Sequence, residues 1–215
     1  MGRVRANSLS ISLDGFLAGP SQSEDKPLGE GGEKLHEWAF ATRSMRLLHG
    51  MEGGEEGVDD DWAAESMQGA GATIMGRNMF GPVRGGWPEP KWRGWWGEDP
   101  PFHHPVFVLT HHDREPLRMA GGTTFHFVTD GIESALEQAR EAAGDLDVRI
   151  GGGASTVRQY LEAGLIDELH VVVAPVLLGT GESLFANLGL SADYECVDFA
   201  GPERAAHFRI RRRTD

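Results

Sequence analysis

The sequence predicts an α/β fold, because at two places a strand runs through glycine into a helix. The clearer one spans residues 147–174, DVRIGGGASTVRQYLEAGLIDELHVVVA, and reads as strand, glycine turn, helix and buried strand. Apolar residues follow the glycines at helical spacing, and Leu169–Ala174 is almost unbroken apolar sequence, as in a strand covered on both faces. The second junction lies at residues 72–80, where ATIM precedes GRNMF. Strands linked through helices build parallel sheets with helices on their faces.

The N-terminal part of the chain is predicted to contain one strand and two helices. Val4–Leu13 tends to alternate between apolar and polar residues and ends at Asp14-Gly15, a turn dipeptide, which predicts a strand. Glu33–His49 carries apolar residues at helical spacing and is predicted to form one helix. The remaining segments are a loop over Gly19–Gly32, an acidic solvated linker over Glu52–Asp61 and a helix over Trp62–Gln68.

Further elements are predicted around a long loop that is rich in tryptophan. They are a strand over Ala72–Met75, a short helix after Gly76, a strand ending at Thr110, a helix over Glu133–Ala143 and a closing strand over Ala205–Arg213. The loop Gly85–Pro105 carries four of the six tryptophans. Its aromatic side chains could cover the active site, pack in a dimer interface or fix the loop to the domain. We favour a site wall or a dimer contact, and we predict a homodimer, because interfaces are enriched in tryptophan and two-fold dimers are the commonest oligomers.

The glycine turn after residue 150 is a candidate phosphate site. Glycines let backbone N–H groups approach an anion, and the dipole of the following helix favours negative charge there. The alternative is a tight turn without a ligand. The spacing is not the G-x-G-x-x-G of a Rossmann fold, nor the G-x-S-x-G of a nucleophile elbow. The predicted cofactor-binding residues are Gly151, Gly152, Gly153, Ala154, Ser155 and Thr156.

The earlier junction provides a second candidate anion site. Gly76 removes a side chain where backbone amides emerge, Arg77 offers a planar fork of donors and Asn78 is a favoured N-cap residue. We also assign Met79 to this turn. Two such junctions in one small domain favour a ligand with two phosphate regions, such as NADPH, which carries a pyrophosphate and a 2′-phosphate.

Four blocks of sequence, in this order, resemble a known family. They are SISLDGFLAG (10–19), IMGRNMFG (74–81), PVFVLTH (105–111) and the block at 148–185. The chain resembles the dihydrofolate-reductase-like fold, and within it the stand-alone relatives of the reductase domain of the bifunctional riboflavin-biosynthesis deaminase-reductase. The resemblance implies a three-layer fold with a central mixed, mostly parallel sheet flanked by helices. Length agrees with a single domain over residues 1–215.

The resemblance also implies an activity. NADPH would lie across the carboxyl ends of the strands, with Thr110 and His111 near its adenosine end, and the loop 19–32 would either close over the nicotinamide or be a mobile surface loop. The implied function is NADPH-dependent reduction of a pyrimidine or pteridine, as in 5-amino-6-(5-phosphoribosylamino)uracil reductase. The alternatives are dihydrofolate reductase, another reductase on the same scaffold, and a nucleotide-binding protein without catalysis.

Two acidic residues are candidates for the proton donor. Dihydrofolate reductases carry an acid on the first helix, and the position that aligns with it here is Leu35. That departure argues against folate as the substrate. The acids left as catalytic candidates are Glu37, two positions along the same segment, and Asp14, which is alternatively a turn former.

Charge and composition exclude several other classes of function. The formal net charge of −13 argues against nucleic acid and anionic membrane surfaces as partners, because both need basic faces. One cysteine and no apolar run of 18 residues predict a cytoplasmic protein without a disulfide framework or membrane span. No metal site is predicted, because neighbouring histidines such as His103 and His104 point to opposite faces of a strand. A small molecule is the expected partner.

Overall fold

A nine-stranded mixed sheet organises the protein. The computed structural model describes residues 2–66, 68–89, 92–189, 192–202 and 204–213. Within these ranges the strands are β1 (Val4–Ser12), β2 (Phe16–Ala18), β3 (Ala70–Gly76), β4 (Pro105–Leu109), β5 (Leu117–Arg118), β6 (Thr124–Val128), β7 (Asp147–Gly152), β8 (Glu168–Ala174), β9 (Glu182–Ser183), β10 (Tyr194–Ala200) and β11 (Ala206–Arg212). Strands β2 and β9 form a separate antiparallel pair.

The strand order is β10-β11-β8-β1-β7-β3-β4-β6-β5. The six central strands, from β8 to β6, are parallel to one another. Strands β11, β10 and β5 add antiparallel edges. The predicted α/β fold with a mixed, mostly parallel sheet is therefore confirmed. Parallel strands bring their carboxyl ends to one edge of a sheet, where ligands of open α/β folds bind.

Helices cover both faces of this sheet. They are α1 (Glu37–Ala41), α2 (Arg43–Leu48), α3 (Val58–Ser66), α4 (Arg77–Phe80), α5 (Ile132–Ala143) and α6 (Ala154–Glu162), with 3-10 turns at Gly32–His36 and Ala120–Gly122. The main core lies on one face, where Leu136 of α5 and Val157 of α6 pack with Ile150 of β7. On the opposite face, Trp38 of α1 and Ala63 of α3 pack against Val172 of β8. The result is the three-layer arrangement that the resemblance implied.

The single helix predicted over Glu33–His49 is wrong, because it breaks at Thr42. Thr42 has an extended backbone (φ −72°, ψ 151°) and its Oγ1 accepts a hydrogen bond from the Met45 N–H, capping α2. Glu55 pairs with the broken segment, donating from its N–H to the Ala41 carbonyl and accepting from the Arg43 N–H. The acidic stretch predicted to be a solvated linker is therefore partly structured, and α3 begins within it, at Val58 rather than Trp62.

Most other predicted elements lie close to their observed bounds. The predicted strands near residues 4–13, 72–75 and 205–213 and the helix at 133–143 correspond to β1, β3, β11 and α5. The edge strand β10 was not predicted. Its Val197 and Phe199 are exposed, so the strand lacks the buried alternating pattern that marks a strand in sequence. Among the described residues, no helix is long and apolar enough to cross a membrane.

The tryptophan-rich loop packs largely against its own domain. Trp87, Trp92 and Trp96 lie against a buried aromatic cluster around Phe80 and Phe125. The indole N–H groups of Trp95 and Trp96 both donate to the Met79 carbonyl, at 2.7 and 3.0 Å. Contacts within the chain therefore account for most of these aromatic side chains, and the homodimer stays a prediction.

Candidate active site

A cleft of about 1430 Å³ opens at the carboxyl edge of the sheet and runs across the face opposite α5 and α6. Strands β3, β7 and β4 end at this cleft, at Gly76, Gly152 and Leu109. The loop 19–32 contributes Gln22 and Leu28 to its wall. All twelve cofactor-binding residues predicted from the sequence line this one cavity, although they come from three separate parts of the chain.

The turn from β7 to α6 forms one side of the cleft. Gly152 has a φ of +124°, which favours glycine, whereas Gly153 has a φ of −76° and caps the helix. A Cβ on Gly153 would meet no heavy atom within 4 Å, so this backbone faces open space. The Val157 N–H donates to the Gly153 carbonyl at 3.1 Å. The amides that precede Val157 lie at the positive end of the helix dipole, where an anion is stabilised.

The turn from β3 to α4 lies directly beside it. A Cβ on Gly76 would stand 2.3 Å from Thr156 Oγ1 and 3.6 Å from the Gly153 nitrogen, so glycine at position 76 allows the two turns to touch. Asn78 donates through Nδ2 to Gln22 Oε1 at 3.5 Å, which connects this turn to the loop 19–32. The two anion sites predicted separately from the sequence are thus adjacent parts of one surface.

Arg77 is held in place by an aromatic ring at the same end of the cleft. Its guanidinium carbon lies 3.7 Å from the centre of the Trp87 ring, and Arg114 approaches that ring at 5.1 Å. The Trp87 N–H donates to the carbonyls of His112 and Asp113, which follow β4. Burial, and then the charge of Arg114, lowers the pKa of Arg77. Two guanidinium groups held near one ring make this end of the cleft suitable for a group with negative charge.

The Thr110-His111 segment lies at the same end. Thr110 Oγ1 accepts a hydrogen bond from the His112 N–H at 3.1 Å, and its backbone N–H donates to the Val128 carbonyl. Both Thr110 and His111 line the cleft, and the His111 side chain is exposed. The structure therefore places Arg77, Thr110 and His111 along one cleft.

The two acids predicted as proton donors do not line this cleft. The Asp14 carboxylate accepts hydrogen bonds from the N–H groups of Leu178 and Gly179, at 3.1 and 2.6 Å, and the hydrogen bond with Ser12 is the main cause that lowers its pKa. Glu37 is exposed to solvent. Leu35 is fully buried, whereas the next residue, His36, lines the cleft, and burial lowers its pKa to about 4. No role for His36 was predicted from the sequence.

The floor of the cleft contains polar residues that sequence reasoning missed. Arg149 of β7 and His104, just before β4, both line it, and Thr73 Oγ1 lies 2.8 Å from His104 Nε2. Alternation along β7 could have placed Arg149 opposite Val148 and Ile150, but it could not have shown that this face is a cleft. Within the residues that the structure describes, no three His, Cys, Asp or Glu side chains converge as metal ligands would.

Comparison with known proteins agrees with this architecture. A family model described as the RibD C-terminal domain matches residues 5–203. A putative riboflavin biosynthesis protein from Shewanella sp. PV-4 superposes over 100% of both chains, with a TM-score of 0.63 and 21% identity. Dihydrofolate reductase from Enterococcus faecalis, complexed with NADP(H) and RAB-propyl, covers 99% of this chain and 98% of its own, with a TM-score of 0.54 and 15% identity. These two likenesses confirm the predicted dihydrofolate-reductase-like fold.

One curated relative matches over a shorter stretch. The uncharacterized protein YyaP of Bacillus subtilis (strain 168) is 32% identical over 62 residues. That match spans 29% of this chain and about a third (32%) of the relative.

Proposed function

The chain belongs to the RibD C-terminal domain family, a family of riboflavin-pathway reductases, and from this premise we propose that it is an NADPH-dependent reductase of a pyrimidine- or pteridine-type substrate. The proposed reaction resembles that of 5-amino-6-(5-phosphoribosylamino)uracil reductase. The observation that carries the proposal is the contact between two glycine turns, at Gly76 and at Gly153, which open into one cleft beside Arg77.

The residues of this cleft fit an anionic dinucleotide. Arg77 Nε is buried without a hydrogen-bond partner, and among the described residues Arg77 forms no ion pair. A buried donor of this kind is costly unless a ligand satisfies it. We assign Arg77, Thr110 and His111 to the 2′-phosphate and adenosine end. The open backbone at Gly153 and the first residues of α6 would hold the pyrophosphate.

When bound, NADPH would supply the hydride, and the chain would provide position and protons. The Trp38 N–H donates to Ser10 Oγ at 2.9 Å, which fixes both groups on the wall of the cleft. We propose that His36, which burial keeps neutral near pH 7, hydrogen-bonds a heteroatom of the substrate ring. Asp14 and Glu37 lie outside the cleft lining, so either acid would have to donate its proton through water.

Tryptophan fluorescence can test the cofactor assignment, because Trp87 lies against Arg77. We expect NADPH to quench the emission, and Arg77→Ala to weaken NADPH binding while NADH binding is nearly unchanged. A charge-assisted contact contributes about 1.5–3 kcal/mol, which corresponds to about ten- to hundredfold in affinity. The matched control is Arg118→Ala, because Arg118 is an exposed arginine on the edge strand β5. Equal losses for both cofactors would contradict the 2′-phosphate assignment.

A further inference from the structure

Arg149 is a cation on the floor of the cleft, and the residues that the structure describes supply no counter-ion for it. It stands in register with Arg5 of β1 on one side and Thr73 of β3 on the other. Its Nε is buried without a hydrogen-bond partner, and within the described residues its side chain forms no ion pair. Burial, and then the charge of Arg5, lowers the pKa of Arg149. A cation held in this way favours binding of a negative group.

The neighbouring carboxylates are already engaged by Arg5. Arg5 Nη1 lies 2.9 Å from Asp147 Oδ2, and Arg5 Nε lies 3.8 Å from Glu168 Oε1. Glu168 also pairs with Arg211, at 2.9 Å. Arg5 is therefore neutralised at the amino end of the sheet, whereas Arg149 beside it is not. A buried charge without a partner costs free energy, so Arg149 lowers the stability of the unliganded fold.

The opposite side of the floor is polar but uncharged. His104 Nε2 lies 2.8 Å from Thr73 Oγ1. Burial, followed by the charge of Arg149, lowers the pKa of His104 to about 4. Beside them Gly151 carries no side chain, and a Cβ there would press against Met79 at 3.2 Å and Thr73 at 3.4 Å. The floor thus combines one positive charge with one neutral imidazole, and Met79 and Thr73 pack closely against Gly151.

We propose that this floor is a carboxylate subsite, in which Arg149 binds a carboxylate group on the substrate. This inference rests on the proposed function, since it specifies the substrate of the same cleft as an organic acid. The planar guanidinium fork matches a carboxylate through two parallel hydrogen bonds. One arginine balances a monoanion, whereas a phosphate ester dianion would leave a negative charge in a partly buried site.

The test compares two molecules that differ in one substituent, the anion pyrimidine-4-carboxylate and the neutral pyrimidine-4-carboxamide. Titration calorimetry would measure both on the wild-type protein, on Arg149→Gln and on Arg118→Gln, which removes an exposed arginine of β5. We expect the wild-type protein to prefer the carboxylate about ten- to hundredfold. Arg149→Gln should lose this preference and Arg118→Gln should keep it.

Thermal unfolding of the unliganded variants separates binding from a structural role. Arg149→Gln should unfold at the same temperature as the wild type or higher, because it removes a buried charge that has no partner among the described residues. Equal affinity for the two pyrimidines, undetectable binding of both, or a preference that survives Arg149→Gln would overturn the proposal. So would competition in which inorganic phosphate displaces the carboxylate at lower concentration.

NADPH binding gives an independent readout of the proposed function. If NADPH binds in an Arg77-dependent manner while the carboxylate preference is absent, the carboxylate subsite alone is wrong. If the carboxylate binds through Arg149 while NADPH does not bind, the subsite stands and the proposed reductase function fails.

Discussion

Gly153→Ala isolates the contribution of the glycine turn to cofactor binding. The backbone of Gly153 (φ −76°, ψ −166°) is one that alanine can adopt, and the added methyl would meet no heavy atom of the protein within 4 Å. Folding should therefore be preserved, and stability should be unchanged or raised by about 0.4–1 kcal/mol, because alanine restricts the unfolded chain. Gly152 is a poorer probe, since its φ of +124° strains any other residue and Gly152→Val should impair both folding and binding.

The expected loss of affinity follows from two distances. A phosphate oxygen bound to a backbone N–H lies about 2.9 Å from the nitrogen. A methyl carbon requires about 3.5 Å or more from its neighbours, so the anion must move away from the turn. Losing one charge-assisted hydrogen bond costs about 1.5–3 kcal/mol. Gly153→Ala should therefore weaken NADPH binding about ten- to hundredfold.

The assay is tryptophan quenching by NADPH, with thermal unfolding of each variant. The matched control is Gly189→Ala, because Gly189 is exposed, has no positive φ, would also place its methyl in open space and does not line the cleft. Normal NADPH affinity in a folded Gly153→Ala protein would refute the assignment of this turn to the pyrophosphate.

Three further predictions concern stability, substrate and assembly. Burial lowers the pKa of His170 to about 3, below its unfolded value near 6.5. The folded state should therefore lose stability as the pH falls from 6.5, by up to about 1.4 kcal/mol per pH unit. His170→Gln should reduce this dependence of the unfolding free energy on pH, as measured by urea titrations. Purified protein should reduce dihydrofolate poorly, because buried Leu35 replaces the acid, and rapid turnover would restore Glu37 or Asp14 as donor. Light scattering should give a dimer, and a mass near 23.4 kDa would contradict it.

The cofactor half of the site could be predicted from sequence because its determinants are local. Glycine between the end of a strand and the start of a helix indicates either a tight turn or a close approach of the backbone to an anion. Each of the two turns contains its own glycines and backbone amides. The fact that the two turns touch, through Gly76 and Thr156, depends on β3 and β7 being neighbours in the sheet. The spacing of residues along the chain could not show that adjacency.

The errors have tertiary causes. The break at Thr42 depends on pairing with Glu55, thirteen residues away, and nothing in the apolar spacing of residues 33–49 marks it. In the turn that precedes α1, His36 lines the cleft, whereas Leu35 is buried and Glu37 is exposed, and apolar spacing alone could not show this.

Arginines of the closing strand are paired with acids, whereas two arginines that line the cleft have no such partner among the described residues. The closing strand β11 carries Arg209 and Arg211, and these pair with Glu65 and Glu168, as expected for a strand whose charges are structural. Arg77 and Arg149 line the cleft and form no ion pair within the described residues. Because the protein as a whole carries a net charge of −13, it can attract an anion only locally, at unpaired cations such as these. The arginines that break the local rule of pairing therefore mark the two ends of the proposed binding surface, one for the cofactor and one for the substrate.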